Sequence, residues 1–324
     1  MNSEDFNKWK SDILGDILTA LAASEKLKEI LVYKGARILN ILLDTKRMSL
    51  DIDSNLIQDF VIKFPEKEAQ KEYLEKVFSA AINRYFNRQN PVRFKLETLK
   101  IQKSPPKDHP LGWNGFSVKM NVKDSIYNVR GLPSLTIDVA AWEKLSENSI
   151  AEIDLGGYKI KAYTLERITG EKLRAFLSTL PAYRNKVNKP GEALRVKDLY
   201  DIVRIHRVKP IIDNELFWEL TGGEFKLACE SRFIDCQGVE TFQENWKITE
   251  EHYEADQTLP KDVKFDEVER MISTINDFFT LKGITPFSFR LPIVKAMREQ
   301  SIILTSFYLY NKHIDYENNI LFSL

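Results

Sequence analysis

Apolar residues recur at helical spacing near the start of the chain, where Phe6, Ile13, Leu14, Ile17, Leu18, Leu21 and Leu27 predict one or two amphipathic helices within residues 5–30. Residues 30–33 are short, apolar and β-leaning, Gly35 punctuates them, and residues 36–43 return to helical spacing. Residues 48–56 then alternate as a strand does. Residues 65–87 carry the clearest helical pattern, with Pro65 at the expected first turn and glutamates behind it, where the helix dipole favours them. Five strand-like runs follow, at 94–102, 116–122, 135–139, 151–155 and 158–163, and Gly156-Gly157 predicts a hairpin between the last two. The proline-rich segment 104–112 cannot continue a strand. After Thr164 the periodicity is helical, over 165–180, 193–208, 213–231 and 262–279. The pattern predicts an α/β domain with N-terminal helices over 1–164 and a helical C-terminal domain over 165–324.

At 324 residues, 43% hydrophobic and 29% charged, the chain can bury one large core or two that share an interface. Lys+Arg and Asp+Glu balance at 47 each, which argues against a DNA-coating role, although basic residues thicken between 167 and 209. No run of eighteen apolar residues and no signal-peptide pattern occurs, so the expectation is a cytoplasmic protein without a membrane partner. Cys229 and Cys236 suit buried thiols better than a disulfide framework or a zinc site. His109, His206, His252 and His313 are scattered and build no hydrolase or metal pattern. Gly222 and Gly223 lack a phosphate-loop context and are expected to end a helix. The aromatic-rich segment 306–324 could stack a nucleobase or an RNA end, but such residues more commonly fill a core.

Asp51 and Asp53, two apart in a predicted strand, would point to one face, and two carboxylates so arranged can bind a hard divalent cation. Alone the pair is a weak signal, since Asp-x-Asp at a solvated strand end is common. Before it, residues 34–53 (KGARILNILLDTKRMSLDID) run from a glycine turn through a short helix back to the carboxylates. A glycine lets backbone approach a phosphate, and amides at a helix start attract anions. Asp138, inside the apolar run LTIDV, is costly there unless paired, hydrogen-bonded or metal-bound; its alternative role is to cap the next turn. In 165–202, Lys172 offers a compact cationic donor for phosphate. Asp198 and Asp201, three apart on a helix, could orient Lys172, meet a nucleotide, pair with Arg195 or form solvated salt bridges, and Tyr200 is expected to pack.

Taken in order, these motifs resemble the AbiEii/AbiGii toxin family of DNA polymerase β-type nucleotidyltransferases. Lys34, Gly35, Arg47, Ser49, Asp51 and Asp53 follow its first motif; Glu171, Lys172, Leu173, Ala175, Arg195, Asp198, Tyr200 and Asp201 follow its later ones. Ala36 stands where the family has a second glycine, Arg37 where it has a small hydroxylic residue, and Gly170 is a further departure. The resemblance spans roughly residues 25–210. It implies an α+β fold, a mixed sheet flanked by helices and followed by a helical bundle, with the active site in the cleft between them. It implies transfer of a nucleoside monophosphate from an NTP to a hydroxyl acceptor, with an RNA such as a tRNA 3′ end leading, in a toxin–antitoxin or abortive-infection system with a cognate antitoxin. Asp51, Asp53 and Asp138 would hold Mg2+ or Mn2+; Lys34, Gly35, Ala36, Ser49, Lys172 and Asp198 would bind the nucleotide. Two alternatives remain: an NTP-binding regulatory protein that has lost transfer, motivated by Ala36 and Arg37, and a small-molecule, antibiotic-type nucleotidyltransferase.

Overall fold

The computed structural model describes residues 3–44, 49–107, 113–126, 132, 134–188 and 194–291. Met1–Lys107 and Asn114–Phe289 form one compact unit; Asp108–Trp113 and Arg290–Leu324 group apart, and nearly all of that second group is outside the described residues. The expectations for Arg47, Met48, His109, His313 and the aromatic segment 306–324 therefore fall outside them as well.

The chain runs α1 (Ser3–Ala22), α2 (Glu25–Lys28), β1 (Leu31–Lys34), α3 (Gly35–Leu42), β2 (Ile52–Leu56), α4 (Gln58–Lys63), α5 (Lys67–Arg88), β3 (Phe94–Ser104), β4 (Gly115–Asp124), β5 (Leu135–Ala140), β6 (Ile150–Leu155) and β7 (Tyr158–Tyr163). Helices follow: α6 (Leu165–Leu177), α7 (Pro181–Lys186), α8 (Val196–Val208), α9 (Glu215–Glu230), α10 (Val239–Phe242), α11 (Trp246–Ala255) and α12 (Phe265–Leu281). Two boundaries differ from the sequence pattern. Strand β2 starts at Ile52, so Asp51 precedes the strand instead of sharing its pleat, and Pro65 stands ahead of the N-cap Glu66 of α5 instead of inside its first turn.

The seven strands form one mixed sheet in the order β3-β4-β5-β2-β1-β7-β6. Neighbours are antiparallel except β5 with β2 and β1 with β7, which are parallel. Central β1 buries Leu31, Val32 and Tyr33 in succession, which is why it reads as a continuous apolar run and not as an alternation. The β6–β7 hairpin turns at Gly156 (φ 59°) and Gly157 (φ 87°), the positive pair that a two-residue type I′ turn demands. On the sheet side, α1 and α5 pack together, and the Trp9 indole of α1 donates to Asp124 at the end of β4 (3.0 Å).

The later helices share a core around Trp218, Phe225, Phe242 and Phe279. Helix α6 approaches α9 so closely that a Cβ on Gly170 would stand 2.6 Å from the Phe225 amide nitrogen. Gly222 and Gly223 do not end a helix, contrary to expectation: both lie within α9, and a Cβ on Gly222 would meet Ile284 Cδ1 at 2.3 Å. Packing against a neighbour, not chain termination, accounts for Gly222. Cys229 and Cys236 are free and buried. Among the described residues no helix is long and apolar enough to cross a membrane.

Candidate active site

Strand β1 ends at Lys34, and Gly35 turns the chain into α3 with φ 79°, a left-handed conformation that glycine adopts without steric cost. Across the sheet, Lys34 pairs with Asp53 of antiparallel β2, and Asp53 pairs with Asp138 of parallel β5. Residues paired side by side present their side chains to one face, so Lys34, Asp53 and Asp138 form a row. The Asp53 carboxylate packs over the Gly35 backbone, where an added Cβ would lie 2.1 Å from Asp53 Oδ2. Ala36 follows in the first turn of α3, partly buried.

Asp51 lies exposed just before β2, its Oδ1 accepting a hydrogen bond from buried Ser49 Oγ (3.0 Å). Arg37 ties this segment down. Its guanidinium donates to the carbonyls of Ser49 (2.6 Å), Asp51 (3.3 Å) and Ser11 (3.3 Å). The arginine that replaces the family's hydroxylic residue is thus engaged with backbone.

Burial, then the Asp51 charge and the Asp138 charge, push Asp53 up to about 6 against the opposing pull of Lys34 and Arg195. Asp138 is exposed and only partly enclosed by β5 and its neighbours; that partial burial, and then Asp51, raise its pKa, opposed by a hydrogen bond with Ser117. Among the described residues no group of three or more His, Cys, Asp or Glu side chains closes into a ready metal-ligand set. The donor chemistry nevertheless fits a hard divalent cation: all the donors are carboxylate oxygens, and their mutual repulsion is what a cation would relieve.

A cleft of about 210 Å³ opens beside Asp53. Lys34, Gly35 and Asp53 line it, α6 supplies Glu171, Lys172 and Arg174 with Ser178 at its C-cap, and Tyr163, Arg195 and Asp198 complete its polar lining. Lys172 is buried, and its ammonium donates to Asp198 Oδ1 and Asp201 Oδ2, each at 2.8 Å. Arg195, more than half exposed, also donates to Asp198. Burial alone would raise Asp198, but Lys172 and Arg195 outweigh it and hold the carboxyl at about 2. The pair of acids is therefore neither solvated nor spare: it anchors a cation between α6 and α8.

Lys34 is held more loosely, 3.4 Å from Glu143 and 3.9 Å from Glu171, with its ammonium 5.5 Å from the Tyr163 ring centre. Beneath it, Glu143 accepts from the Tyr163 hydroxyl (2.7 Å) and Asn55 (2.8 Å). Arg167, fully buried, pairs with Glu171 (2.8 Å) and Glu224 (3.2 Å). Glu171 is desolvated, yet Arg174, Lys34 and Arg167 keep it far below the usual carboxylate range.

Of the residues expected from sequence, Lys34, Gly35, Asp53, Lys172 and Asp198 line one cleft; Asp51 and Asp138 act electrostatically on Asp53; Ser49 supports Asp51. Arg195, Arg174, Glu171 and Tyr163 line it too without having been assigned a site role. Arg195 and Glu171 belong to the later motifs and were visible there. Glu143 lies in an irregular segment with no local pattern to mark it.

Residues 16–278 match the family described as "Nucleotidyl transferase AbiEii toxin, Type IV TA system". No curated protein matches the chain. Among solved structures, a proposed nucleotidyltransferase from H. pylori is similar at 14% identity and TM-score 0.46, covering 89% of this chain and 100% of that one. JHP933 from Helicobacter pylori gives 14% identity and TM-score 0.44 over 95% of this chain and 99% of that one. MenT4, a nucleotidyltransferase toxin from Mycobacterium tuberculosis H37Rv, gives 15% and 0.41 over 82% and 83%. With its family match extending over most of its length, the chain belongs to the AbiEii toxin family of nucleotidyltransferases from type IV toxin–antitoxin systems.

Proposed function

We propose that the chain moves a nucleoside monophosphate from an NTP onto an RNA hydroxyl, with a tRNA 3′ end as acceptor and Mg2+ (or Mn2+) held by Asp51, Asp53 and Asp138. The observation that carries this reading is the side-by-side pairing of Asp53 and Asp138, with the Asp53 carboxylate against the backbone of the Gly35 turn. In the reaction, the acceptor oxygen bonds to the α-phosphorus, the bond to the bridging oxygen of the β-phosphate breaks, and pyrophosphate leaves. The divalent ion supplies charge neutralisation for the phosphates and the leaving group. Asp138 takes the proton from the attacking hydroxyl.

The triphosphate lies along the start of α3, where amides free of intrahelical partners favour anions. Lys34 and Arg195, both in the lining of the cleft and both acting on Asp53, supply cations to it. Lys172 uses two of its three N–H donors on Asp198 and Asp201, and the third serves a phosphate oxygen. Residues 1–164 supply the carboxylates in this reading, and 165–324 begin with the opposing wall. The enzyme works in the cytoplasm, where NTP, RNA and a cognate antitoxin meet it.

The test is incubation of the purified protein with Mg2+, total tRNA and each α-labelled NTP in turn, beside Asp51→Asn. Label in RNA that depends on Asp51 is the expected result. Tight NTP binding with no transfer would point to a regulatory binder, and label on an aminoglycoside but not on RNA to a small-molecule enzyme.

A further inference from the structure

A second hollow lies apart from the cleft. It measures about 530 Å³ and lies between the end of α1 and one face of α5, with Tyr158 on its border. Its chemistry follows from two rows on α5. Lys76, Arg84 and Arg88 stand at multiples of four residues, which places them along one ridge of the helix; Tyr73 and Tyr85 belong to the adjacent ridge. Ala20 and Ala23 add small side chains to the lining, and the Tyr73 ring also packs against Phe60 and Phe64.

Lys76, Arg84 and Arg88 are exposed, and among the described residues none makes a hydrogen bond or ion pair; the same holds for Lys26 on the rim. Glu25, the one acid in the lining, is already bound by Lys28 at 2.8 Å. In a chain whose charges cancel overall, this is a local excess of unpaired cations beside aromatic rings. Such a combination tracks a sugar-phosphate backbone and stacks bases without sequence preference.

Length decides between one nucleotide and a polymer. Twelve residues separate Lys76 from Arg88, about 18 Å along the helix axis. That span exceeds the phosphates of a single nucleotide and matches several successive ones. Position separates the groove from the chemistry: Ala162 of β7 pairs with Tyr33, next to Lys34, and Tyr158 lies four residues back, about 13 Å along the strand.

We propose that the α1–α5 groove is a docking site for the RNA backbone, distinct from the cleft, which holds the body of the acceptor while its 3′ hydroxyl reacts at the carboxylates. This rests on the RNA-acceptor reading above. The experiment measures binding of fluorescently labelled tRNA to the full chain across a salt series, for wild type and for Lys76→Ala/Arg84→Ala/Arg88→Ala. All three side chains are exposed, and unchanged thermal melting verifies the fold of the variant. The variant is expected to bind at least tenfold more weakly at low salt, with the slope of log K against log salt smaller by about 2–3, as the loss of three phosphate contacts predicts. Equal affinity and equal slope would overturn the groove assignment while leaving the acceptor reading intact. Absence of tRNA binding by wild type would overturn both, and binding of a poly-glutamate peptide in its place would reassign the groove to an acidic protein partner.

Discussion

Gly35 is the residue at which sequence, backbone and chemistry meet. Its φ of 79° disfavours any side chain, and the space a Cβ would take is filled by the Asp53 carboxylate. Gly35→Ala is expected to cost about 1–2 kcal/mol in urea unfolding, the strain of a left-handed alanine. It should also lower transfer to tRNA by at least about a hundredfold, because the displaced group is Asp53 itself. Arg37 poses a subtler case. By holding the carbonyls of Ser49 and Asp51 it positions the segment that carries Asp51, so Arg37→Ala should raise the Mg2+ concentration needed for half-maximal transfer several-fold. The NTP KM should move less; a change confined to the NTP KM would instead mean that Arg37 meets phosphate. The carboxylates were legible because Asp-x-Asp follows a glycine turn in the right order. The engagement of Arg37 was not, since its acceptors are backbone atoms of residues far apart in sequence, which leave no trace in side-chain pattern.

Helices α6 and α8 are joined by one buried cation between two acids, and this arrangement answers to pH and to truncation in predictable ways. Lys172→Ala removes the common partner of Asp198 and Asp201 but leaves each its arginine, Arg195 and Arg204, so it should destabilise the protein by about 3 kcal/mol, the low end of the cost of breaking a buried pair. Because Asp198 is held at about 2 in the folded protein and titrates near 4 when unfolded, its contribution is complete above about pH 4. It is lost as pH falls through about 2. Denaturant melts should therefore show Asp198→Asn less stable than wild type by about 2 kcal/mol at pH 7, with the gap closing between pH 4 and pH 2. A gap that persists unchanged at pH 2 would mean that the asparagine harms packing and not charge pairing. The helices themselves were readable from 3.6-residue periodicity, whereas α4 and α10 are too short to show a period. Gly170 looked like a departure from the family's pattern; it is where the backbones of α6 and α9 touch, a contact only the folded chain reveals.

Strand positions followed from alternation and turn residues, but strand order did not, because the parallel pairing of β5 with β2 connects segments more than eighty residues apart. That single pairing sets Asp138 beside Asp53, and with it comes an electrostatic cost that the whole fold carries. Burial first, and then the charges of Asp51 and Asp138, make an ionised Asp53 costly, as its elevated pKa records. Neutralising it should relieve the molecule, so Asp53→Asn is expected to melt at a higher temperature than wild type in the presence of EDTA. Mg2+ should narrow or reverse the difference, since a ligand that binds only the folded state stabilises it in proportion to the logarithm of its concentration over Kd. At ten times Kd the gain is about 1.4 kcal/mol, or roughly 2–5 °C for a unit of this size. Wild type should show that rise and Asp53→Asn should not. Equal rises in both proteins would place the ion away from Asp53 and remove the row of Lys34, Asp53 and Asp138 as the metal-binding edge of the sheet, whatever the transfer assay reports.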